Sequence, residues 1–508
     1  MKADAVRVRE GNTGLLSLTG ADGTTETFVP DCDLEHTREL LLEFQELRDS
    51  EGRALKDGYW VGGVNWYPAM VSFLYWHLFY RYVQYAPVMR GLMDGELQLE
   101  FENEGSLSRM VALIRAERSR EGLRGWLFHA LVRLNNKITL WRHPAEMLFF
   151  RFAEDDFRSQ ELRTTLDGLR VRYVEVVPPS RAPLLRNLRE GGRYYFYGDR
   201  RAPNRFDRTF DLNHLDPYRR RMFEAAIVHV EETISSYVRE YERHSRVLKK
   251  CGATVFYGFD DCNGYVFPIL YACQRRGIRT VGHQHGAYVR RHAGYVMEGV
   301  DPESYAWFEK LIVWGPYWRE HLLKISAVHN PDAVVIGCNR IPRTYPEVKL
   351  SKRVPSGILI PYEQVGNTEK VGEYISALMD LGYRILFKPR PDEPLQMQLE
   401  SYCLPETYCD RLVIVEEVDD AVMEQVDIVA GMMTTLIYEL LPYGKIVWIF
   451  DTEYRHLEDL VEDGLAHKVR LEDLSNLGPN FFRPTRVDAA WLFNPAPLSE
   501  VIRTHVLM

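Results

Sequence analysis

A strand-then-helix alternation runs through most of this chain, and this feature limits the possible folds more than any other. Short apolar runs such as MLFFRF (147–152), VRYVEVV (171–177) and ATVFYGF (253–259) alternate with segments of helical periodicity. Strands that alternate with helices form parallel sheets, because a parallel neighbour can be reached only through a crossover connection. The sequence therefore predicts an α/β protein built on parallel sheets.

The alternation occurs in two runs, which a polar, Pro-containing stretch at 341–356 separates. Each run is long enough for its own doubly wound sheet. We therefore expect two Rossmann-like lobes facing a cleft, one at 146–340 and one at 357–475. The segment 1–145 has a short β-rich start and then helical periodicity, so it predicts a mainly helical extension. Residues 476–508 predict a closing segment of helices.

Composition excludes several classes of protein. Hydrophobic residues make up 46% and charged residues 27% of the 508 residues, which are globular proportions. Lys and Arg number 63 against 72 Asp and Glu, so there is no chain-wide basic footprint for nucleic acid. The seven Cys are spread out with no CxxC pair, which indicates reduced thiols in a cytoplasmic protein. The start MKADAVRVREGNTG has no apolar core, so we expect no signal peptide.

An aromatic stretch from Trp60 to Tyr85 contains the closest approach to a long apolar run, Trp66 to Val83, but His77 and Arg81 interrupt it. We interpret it as a buried helix, because Tyr and Trp fill cores as well as interfaces. The alternative is peripheral docking on the cytoplasmic leaflet of the inner membrane, together with the basic helices around 115–133.

Two acidic and two imidazole side chains follow consecutive predicted strands of the first run. Asp260 and Asp261 come at the end of one strand, and His283 and His285 at the end of the next. A carboxylate and an imidazole at one sheet edge can deprotonate a hydroxyl or stabilise a developing charge. The competing interpretation is that one of the Asp residues only caps the following helix. A zinc site at the two His lacks a convincing third ligand, and we expect no metal.

Two further segments of the second run are suited to phosphate. FKPRPDEP places Lys388 and Arg390 at a strand end, and Pro389, Pro391 and Pro394 stiffen the loop that follows. DIVAGMMTTLIYE places Thr434 and Thr435 at a helix start, with Glu439 one turn later on the same face. A solvated Lys/Arg pair and a plain Thr cap are the competing interpretations. No GxGxxG or GxxxxGK[ST] motif supports an NAD-type or P-loop site.

The order of these motifs resembles the C-terminal lobe of bacterial GT-B glycosyltransferases of capsule and lipopolysaccharide biosynthesis. The nearest group is the one that uses CMP-activated sugars, such as the sialyltransferases and β-Kdo transferases. GIRTVGHQHGAY, followed by HAGY and KLIVWGPYW, is similar to the QHG…GY…WG run of surface-carbohydrate biosynthesis proteins. The resemblance covers about 250–450. It departs at Arg390, which stands where the pattern has His, and Arg gives up no proton at neutral pH.

The resemblance implies a nucleotide-sugar-dependent glycosyltransferase that moves a CMP-linked ulosonic acid, such as Kdo, onto a surface-polysaccharide or lipid-linked glycan. Lys388, Arg390, Thr434 and Thr435 would hold the donor phosphate and Glu439 the nucleoside. Asp261, with Asp260 or Glu154 as its substitute, would be the catalytic carboxylate, and His285 would stabilise charge. No cofactor beyond the nucleotide sugar is implied, and no nucleic acid partner.

Two other functions remain open at this point. One is a CDP-polyol phosphotransferase of the teichoic-acid type. The other is a catalytically inactive GT-B scaffold that binds glycans, although the paired Asp residues and the HQHG segment at strand ends argue against it. The Arg-rich stretch at 181–205 suits a sugar carboxylate or acidic glycan, but Arg runs are more often solvated faces.

Overall fold

The computed structural model describes most of the chain. The described residues are 4–10, 16–20, 22–28, 31–94, 97–102, 107, 123–151, 159–179, 181–198, 203–260, 264–339, 345, 355–363, 368–391 and 394–508. Two of the predicted catalytic carboxylates, Glu154 and Asp261, lie outside these ranges, and for Asp260 only the backbone is described.

The N-terminal region combines helices with a small mixed sheet. The sheet contains β1 (Asp4–Glu10), β2 (Leu16–Thr19), β3 (Thr25–Phe28) and β6 (Leu97–Phe101). A separate hairpin is formed by β4 (Trp60–Val61) and β5 (Val64–Asn65). The α-helices of the region are Leu34–Gln45, Val71–Leu78, Ala86–Asp94 and Leu123–Arg142. The strand β6 pairs in parallel with β1, inside a region predicted to be helical. Its sequence LQLEF alternates apolar and polar residues, which is the strand period.

The middle of the chain forms a seven-stranded sheet in which every neighbouring pair is parallel. Its strands are β7 (Met147–Phe150), β8 (Tyr173–Val177), β9 (Tyr194–Phe196), β10 (Val255–Asp260), β11 (Arg279–Gln284), β12 (Lys310–Val313) and β13 (Val334–Ile336). The helices of six residues or more around it are Gln160–Gly168, Arg181–Glu190, Pro217–Val247, Phe267–Gln274 and Pro316–Ile325. The Arg-rich stretch contains one of these helices and β9, neither of which the sequence pattern indicated.

The second run forms a six-stranded sheet, again parallel throughout. Its strands are β14 (Gly357–Pro361), β15 (Arg384–Lys388), β16 (Val413–Ile414), β17 (Ile428–Gly431), β18 (Ile446–Phe450) and β19 (His467–Val469). Its longer helices are Thr368–Asp380, Leu395–Ser401 and Asp420–Gln425, and short helices Leu436–Leu440, Glu458–Glu462, Ala489–Leu492 and Leu498–Ile502 follow.

Both large sheets follow the same pattern of strand order, and the first has one additional strand, β13, at its outer end. The spatial order is β16-β15-β14-β17-β18-β19 in one and β9-β8-β7-β10-β11-β12-β13 in the other. Each order starts at an inner strand, runs outward on one side and then restarts on the other side, which is the doubly wound Rossmann arrangement. The predicted α/β class with two Rossmann-like lobes is therefore confirmed.

The aromatic stretch is part of the core, as interpreted from the sequence. Trp66, Tyr67 and Tyr75 are fully buried, and the Trp66 ring packs edge-on against Tyr241 of the long helix Pro217–Val247. Trp60 is an exception, since 55% of it is exposed. Among the described helices, none is both long and apolar enough to cross a membrane.

The C-terminal residues leave the second sheet and return to the first. Asn494 donates its backbone N–H to Trp314 O (2.8 Å). Leu498, Val501 and Ile502 share an apolar cluster with Met147 and Phe149 of β7 and with Ile312 of β12. The two lobes are therefore connected by a crossing segment as well as by their direct contact.

Replacing Gly315 with Ala should destabilise this crossing. A methyl group on Gly315 would lie 2.5 Å from the carbonyl oxygen of Leu492 and 2.7 Å from that of Trp491. Both atoms belong to the backbone and cannot rotate away. We expect the free energy of unfolding to fall by about 1–3 kcal/mol, the usual cost of overpacking, as measured by urea denaturation.

Gly478→Ala is the matched control, because no atom lies within 4 Å of its added methyl group and its backbone conformation is an ordinary one. Equal destabilisation by the two substitutions would contradict the close approach at Gly315.

Candidate functional site

Each sheet has a switch point, where the strand order reverses and the strand ends form a crevice. In the second sheet it lies between β14 and β17, and in the first between β7 and β10. Asp260 is the last residue of β10 and pairs with Gln284 of β11. Glu154 follows β7 and Asp261 follows β10 in the sequence, so the carboxylates predicted to be catalytic come after the two strands that flank this switch point.

The HQHG loop after β11 is fixed by the side chain of Gln284, which is fully buried. Its amide nitrogen donates to Gly286 O (2.9 Å), and its amide oxygen accepts from the backbone N–H of Trp314 (3.0 Å). The indole nitrogen of Trp314 donates in return to Gln284 O (2.8 Å). The QHG and WG motifs, which are 30 residues apart in the sequence, are thus one hydrogen-bonded unit at the ends of β11 and β12.

The two histidines of this loop have different environments. His283 is fully buried, its Nδ1 accepts from the Tyr257 hydroxyl (2.9 Å), and its Nε2 donates to Cys338 O (2.8 Å). Since both ring nitrogens are engaged, His283 is a core residue and has no lone pair to offer a metal. His285 is half-buried and lies beside Tyr295, whose hydroxyl is 3.5 Å from its Nδ1.

A buried carboxylate organises the switch point of the second sheet. Glu363, two residues beyond β14, is completely buried. It accepts hydrogen bonds from the backbone N–H groups of Met432 (2.8 and 2.9 Å), Met433 (2.6 Å) and Thr434 (3.0 Å). Burial raises the pKa of Glu363 to about 7, against the lowering effect of these hydrogen bonds. The loop after β17 is therefore shaped by an acid of the same lobe.

This arrangement changes what the Thr-Thr segment can offer a ligand. The sequence suggested that helix N–H groups at this point bind phosphate, but three N–H groups of the loop already donate to Glu363. The helix that follows is also short, Leu436–Leu440. What the segment can offer is mainly its two hydroxyl groups.

Those hydroxyls lie where the two lobes meet. Thr435 Oγ1 accepts from the backbone N–H of Ala287 in the HQHG loop (3.3 Å), and Thr434 Oγ1 accepts from the backbone N–H of Leu436 (3.3 Å). Because each oxygen accepts a bond, the hydroxyl hydrogen is the group that it can donate to a ligand oxygen. The two segments singled out in the sequence, 148 residues apart, are thus in direct contact.

The predicted cations occupy the same sheet edge, on the other side of β14. Lys388 ends β15 and is half-buried, and burial lowers its pKa. The backbone of Arg390 is held at both ends by the buried Gln398, which donates to Arg390 O (2.9 Å) and accepts from Arg390 N (2.9 Å). Glu439 is half-buried, and its carbonyl accepts from the Tyr345 hydroxyl (3.1 Å). The structure therefore brings Thr435 to the HQHG loop and leaves Lys388 and Arg390 at the end of β15.

Charged contacts join the lobes beside this edge. The backbone N–H of Arg290 donates to Asp459 (2.6 Å), and Arg291 is paired with Glu458 (3.2 Å). His321 bridges Asp459 (3.2 Å) and Asp463 (3.4 Å). Burial lowers the pKa of His321, but hydrogen bonds to the two carboxylates outweigh it, so the net direction is upward. These pairs hold the HQHG side of the first lobe against the second lobe.

Sequence reasoning missed Gln284, Glu363 and Tyr295 as residues that shape the site. Glu363 carried a usable signal, since it is the first charged residue after the apolar strand GILIPY, the same pattern that drew attention to Asp260. Gln284 and Tyr295 act through partners that are distant in the sequence, and no local pattern marks them.

No family model and no curated protein matches the chain. Among solved structures, MurG of Acinetobacter baumannii is 12% identical with a TM-score of 0.39, covering 66% of this chain and 88% of its own. The calicheamicin glycosyltransferase CalG4 is 12% identical with a TM-score of 0.40, covering 71% and 93%. UDP-GlcNAc 2-epimerase from Neisseria meningitidis is 11% identical with a TM-score of 0.38, covering 71% and 98%. Because these TM-scores are below 0.5, the fold assignment rests on the strand order alone.

Replacing Glu363 with Gln should remove a pH-dependent part of the stability. The folded-state pKa of about 7 lies above the ordinary value of 4.5, so the native state favours the protonated acid. The stability it contributes is fully present below pH 4.5 and is lost as the pH rises through about 7. The melting temperature of the wild type relative to E363Q should therefore fall steadily over this range in scanning calorimetry.

The control is Glu320→Gln, which removes one negative charge from a solvent-exposed helix position. Parallel pH profiles for the wild type and E363Q would show that Glu363 does not titrate with folding in this range.

Proposed function

We propose that this chain is a nucleotide-sugar-dependent glycosyltransferase of GT-B architecture. The observation that supports this most is the contact between Ala287 and Thr435, where the carboxyl ends of two Rossmann-order sheets meet. A donor held at one switch point and an acceptor held at the other would have their reacting atoms near this contact. The transfer of a group between two bound substrates is the chemistry that such an arrangement suits.

The donor site of the proposal is the edge of the second sheet. Lys388 and Arg390 would neutralise the phosphate, and the hydroxyls of Thr434 and Thr435 would donate to its oxygens. Glu439 would contact the nucleoside. The donor we propose is a CMP-linked ulosonic acid such as Kdo, on the strength of the motif order in the sequence. Fixed cations of this kind can take up the charge of the leaving phosphate in place of a metal ion.

The chemical step would use the carboxylates after β7 and β10. In an inverting reaction, Asp261 takes the proton from the acceptor hydroxyl, the acceptor oxygen forms the new bond to the anomeric carbon, and CMP leaves with the bonding electron pair. In a retaining reaction, Asp261 or Glu154 first forms a glycosyl ester as CMP leaves. The acceptor oxygen then displaces the carboxylate, and its proton passes to the phosphate of the released CMP. Asp260 is the substitute for Asp261, and His285 would stabilise charge on the leaving group.

The acceptor would be a surface-polysaccharide or lipid-linked glycan assembled at the cytoplasmic face of the inner membrane. A lipid-linked acceptor is confined to the bilayer surface, so a peripheral association with that surface is part of the proposal. The catalytic site itself would face the water beside the bilayer surface.

Replacing Arg390 with Ala should weaken nucleotide binding without unfolding the chain. A charge-assisted hydrogen bond to phosphate contributes about 1.5–3 kcal/mol, so we expect the Kd for CMP to rise at least about tenfold. Isothermal titration calorimetry measures this directly, after a thermal-shift comparison of CMP, CDP, UDP and GDP in which CMP should stabilise most.

Arg384→Ala is the matched control, because Arg384 is exposed at the opposite end of the same strand β15 and bonds to Gln425 (3.1 Å). An R390A protein that binds CMP as tightly as the wild type would remove this loop from the donor site. Stabilisation by UDP alone would overturn the CMP assignment.

Replacing Asp261 with Asn should abolish transfer while preserving the melting temperature and nucleotide affinity. The substitution keeps the shape of the side chain and removes its basicity. Loss of the catalytic base should lower the rate by more than about tenfold, or about 1.4 kcal/mol in the barrier. Release of free nucleotide from the donor in the presence of acceptor is the readout.

Asp216→Asn is the control, since Asp216 caps the helix Pro217–Val247 by accepting from Tyr218 N (3.0 Å) and Arg219 N (3.1 Å), and Asn caps equally well. If D261N retains more than about a tenth of the activity, the same test passes to Asp260 and Glu154. Transfer of a phosphate-linked polyol from a CDP donor would replace the glycosyltransferase assignment with the phosphotransferase.

A further inference from the structure

The helix Leu123–Arg142 has its polar and apolar faces reversed relative to an ordinary surface helix. The buried side chains of its second half include Asn135, Asn136 and Thr139, whereas Leu131, Leu134 and Trp141 point to solvent. The polar face is buried for a structural reason, whereas no described element of the protein covers the exposed apolar face.

The buried polar face covers the free edge of β9, the last strand of the seven-stranded sheet. Asn136 both donates to Phe196 O (2.7 Å) and accepts from Phe196 N (2.8 Å). Asn135 and Thr139 donate to Tyr194 O (3.0 and 3.1 Å). The amide side chains thus take the place of a neighbouring strand and satisfy the exposed backbone of the edge.

The opposite face presents an apolar row to solvent. Leu131 is 40% exposed, Leu134 51% and Trp141 82%. With the half-buried Ile138, their spacing of three, four and three residues places them on one side of the helix. The helix packed beside it, Arg181–Glu190, adds Leu185 at 61% exposure. No described element covers this row.

The charge of the helix is as unusual as its faces. Its twenty residues contain four cations, Arg124, Arg133, Lys137 and Arg142, and no Asp or Glu, while the whole chain carries a net charge of −9. At its C-terminal end, Arg142 borders a cleft of about 270 Å³ that Arg172, Arg193 and His143 also line. Within the described part of the chain, neither Arg142 nor Arg193 has an ion-pair partner.

We propose that this face docks the protein on a bilayer of anionic phospholipid. Trp141, Leu134 and Leu131 would enter the headgroup region, and Lys137 and Arg133 would lie at the level of the lipid phosphates. The cleft between Arg142 and Arg193 would take one phosphate group. An exposed Trp and Leu row with a cationic border is the composition of interfacial helices.

Charge favours a lipid surface over a second copy of the chain. A symmetric dimer through this face would place the same cationic helices against each other, with no acidic residue on either helix to compensate. An anionic bilayer supplies a continuous opposite charge, and its attraction for cationic residues extends over a Debye length. The proposal assigns a surface to the peripheral association that is part of the proposed function. Its test needs no substrate, so failure of the docking proposal and failure of the transferase assignment are distinguishable.

The test is sedimentation of the full-length protein with vesicles of phosphatidylcholine, with and without phosphatidylglycerol, at low and high salt. The wild type should bind the phosphatidylglycerol vesicles at low salt and be released by salt. The double variant L134S/W141S should bind at least about tenfold more weakly, because two apolar insertions are lost. Arg142→Glu should weaken binding to the anionic vesicles only.

Trp60→Ser is the matched control, since Trp60 is also exposed but lies in the aromatic stretch of the N-terminal region, and it should bind as the wild type does. Circular dichroism and melting temperature confirm that each variant is folded. A wild type that stays in solution with anionic vesicles at low salt overturns the proposal. The proposal is also overturned if W60S loses vesicle binding and L134S/W141S does not. A third contradicting result is a wild type that binds no vesicles and forms a dimer in sedimentation velocity, if L134S/W141S dissociates that dimer.

Discussion

The apolar contact between the two lobes is the interaction on which the candidate site depends. One buried cluster contains Leu311, Val313 and Trp318 of the first lobe together with Val429 and Tyr438 of the second. The Trp318 and Tyr438 rings lie 4.8 Å apart, centroid to centroid. Because burial of such large rings stabilises an interface strongly, this contact holds the carboxyl ends of the two sheets together. The hydrogen bond from Ala287 to Thr435 is a consequence of that packing.

Within the second lobe, a buried acid performs the role that a bound anion has in many Rossmann-order sheets. Backbone N–H groups at a switch point attract hydrogen-bond acceptors, and the carboxyl oxygens of Glu363 accept from three of them inside the protein. In the proposed donor site, recognition of the phosphate therefore falls to side chains, namely the hydroxyls of Thr434 and Thr435 and the cations Lys388 and Arg390.

The buried polar face and the exposed apolar face of the helix Leu123–Arg142 both follow from the need to satisfy the free edge of the first sheet. A parallel sheet that ends at β9 leaves backbone groups unpaired, and the chain covers them with the amides of Asn135 and Asn136. Because the polar residues of this helix face the strand edge, its apolar residues face solvent. The exposed row at Leu134 and Trp141 is therefore explained locally by the edge, and its cationic border is what directs the proposal toward a lipid surface.

The sequence by itself determined the class of the fold and the strand ends at which the candidate site residues lie. Period-two and period-3.6 patterns depend only on neighbouring residues, so β10, β11, β14, β15, β17 and β18 were all predictable. Because the parallel strands of one sheet end at a common edge, Asp260 and His285 could be assigned to that edge of the first sheet, and Lys388 and Thr435 to that of the second, without coordinates. The short strands β9 and β19 were missed, and β16 was predicted to be longer than it is. Two or three residues give no measurable period.

Tertiary structure alone decided how these residues are used. His283 and His285 look equivalent in the sequence, but Tyr257 and Cys338 make one of them a core residue. The Thr-Thr segment looks like an anion site until Glu363, 71 residues away, is seen to occupy its N–H groups. Asn135 and Trp141 exchange the faces that a hydrophobic pattern predicts, because the partner of the helix is a polar strand edge. In each case the deciding contact joins residues that are distant in the sequence, and local patterns carry no information about such contacts.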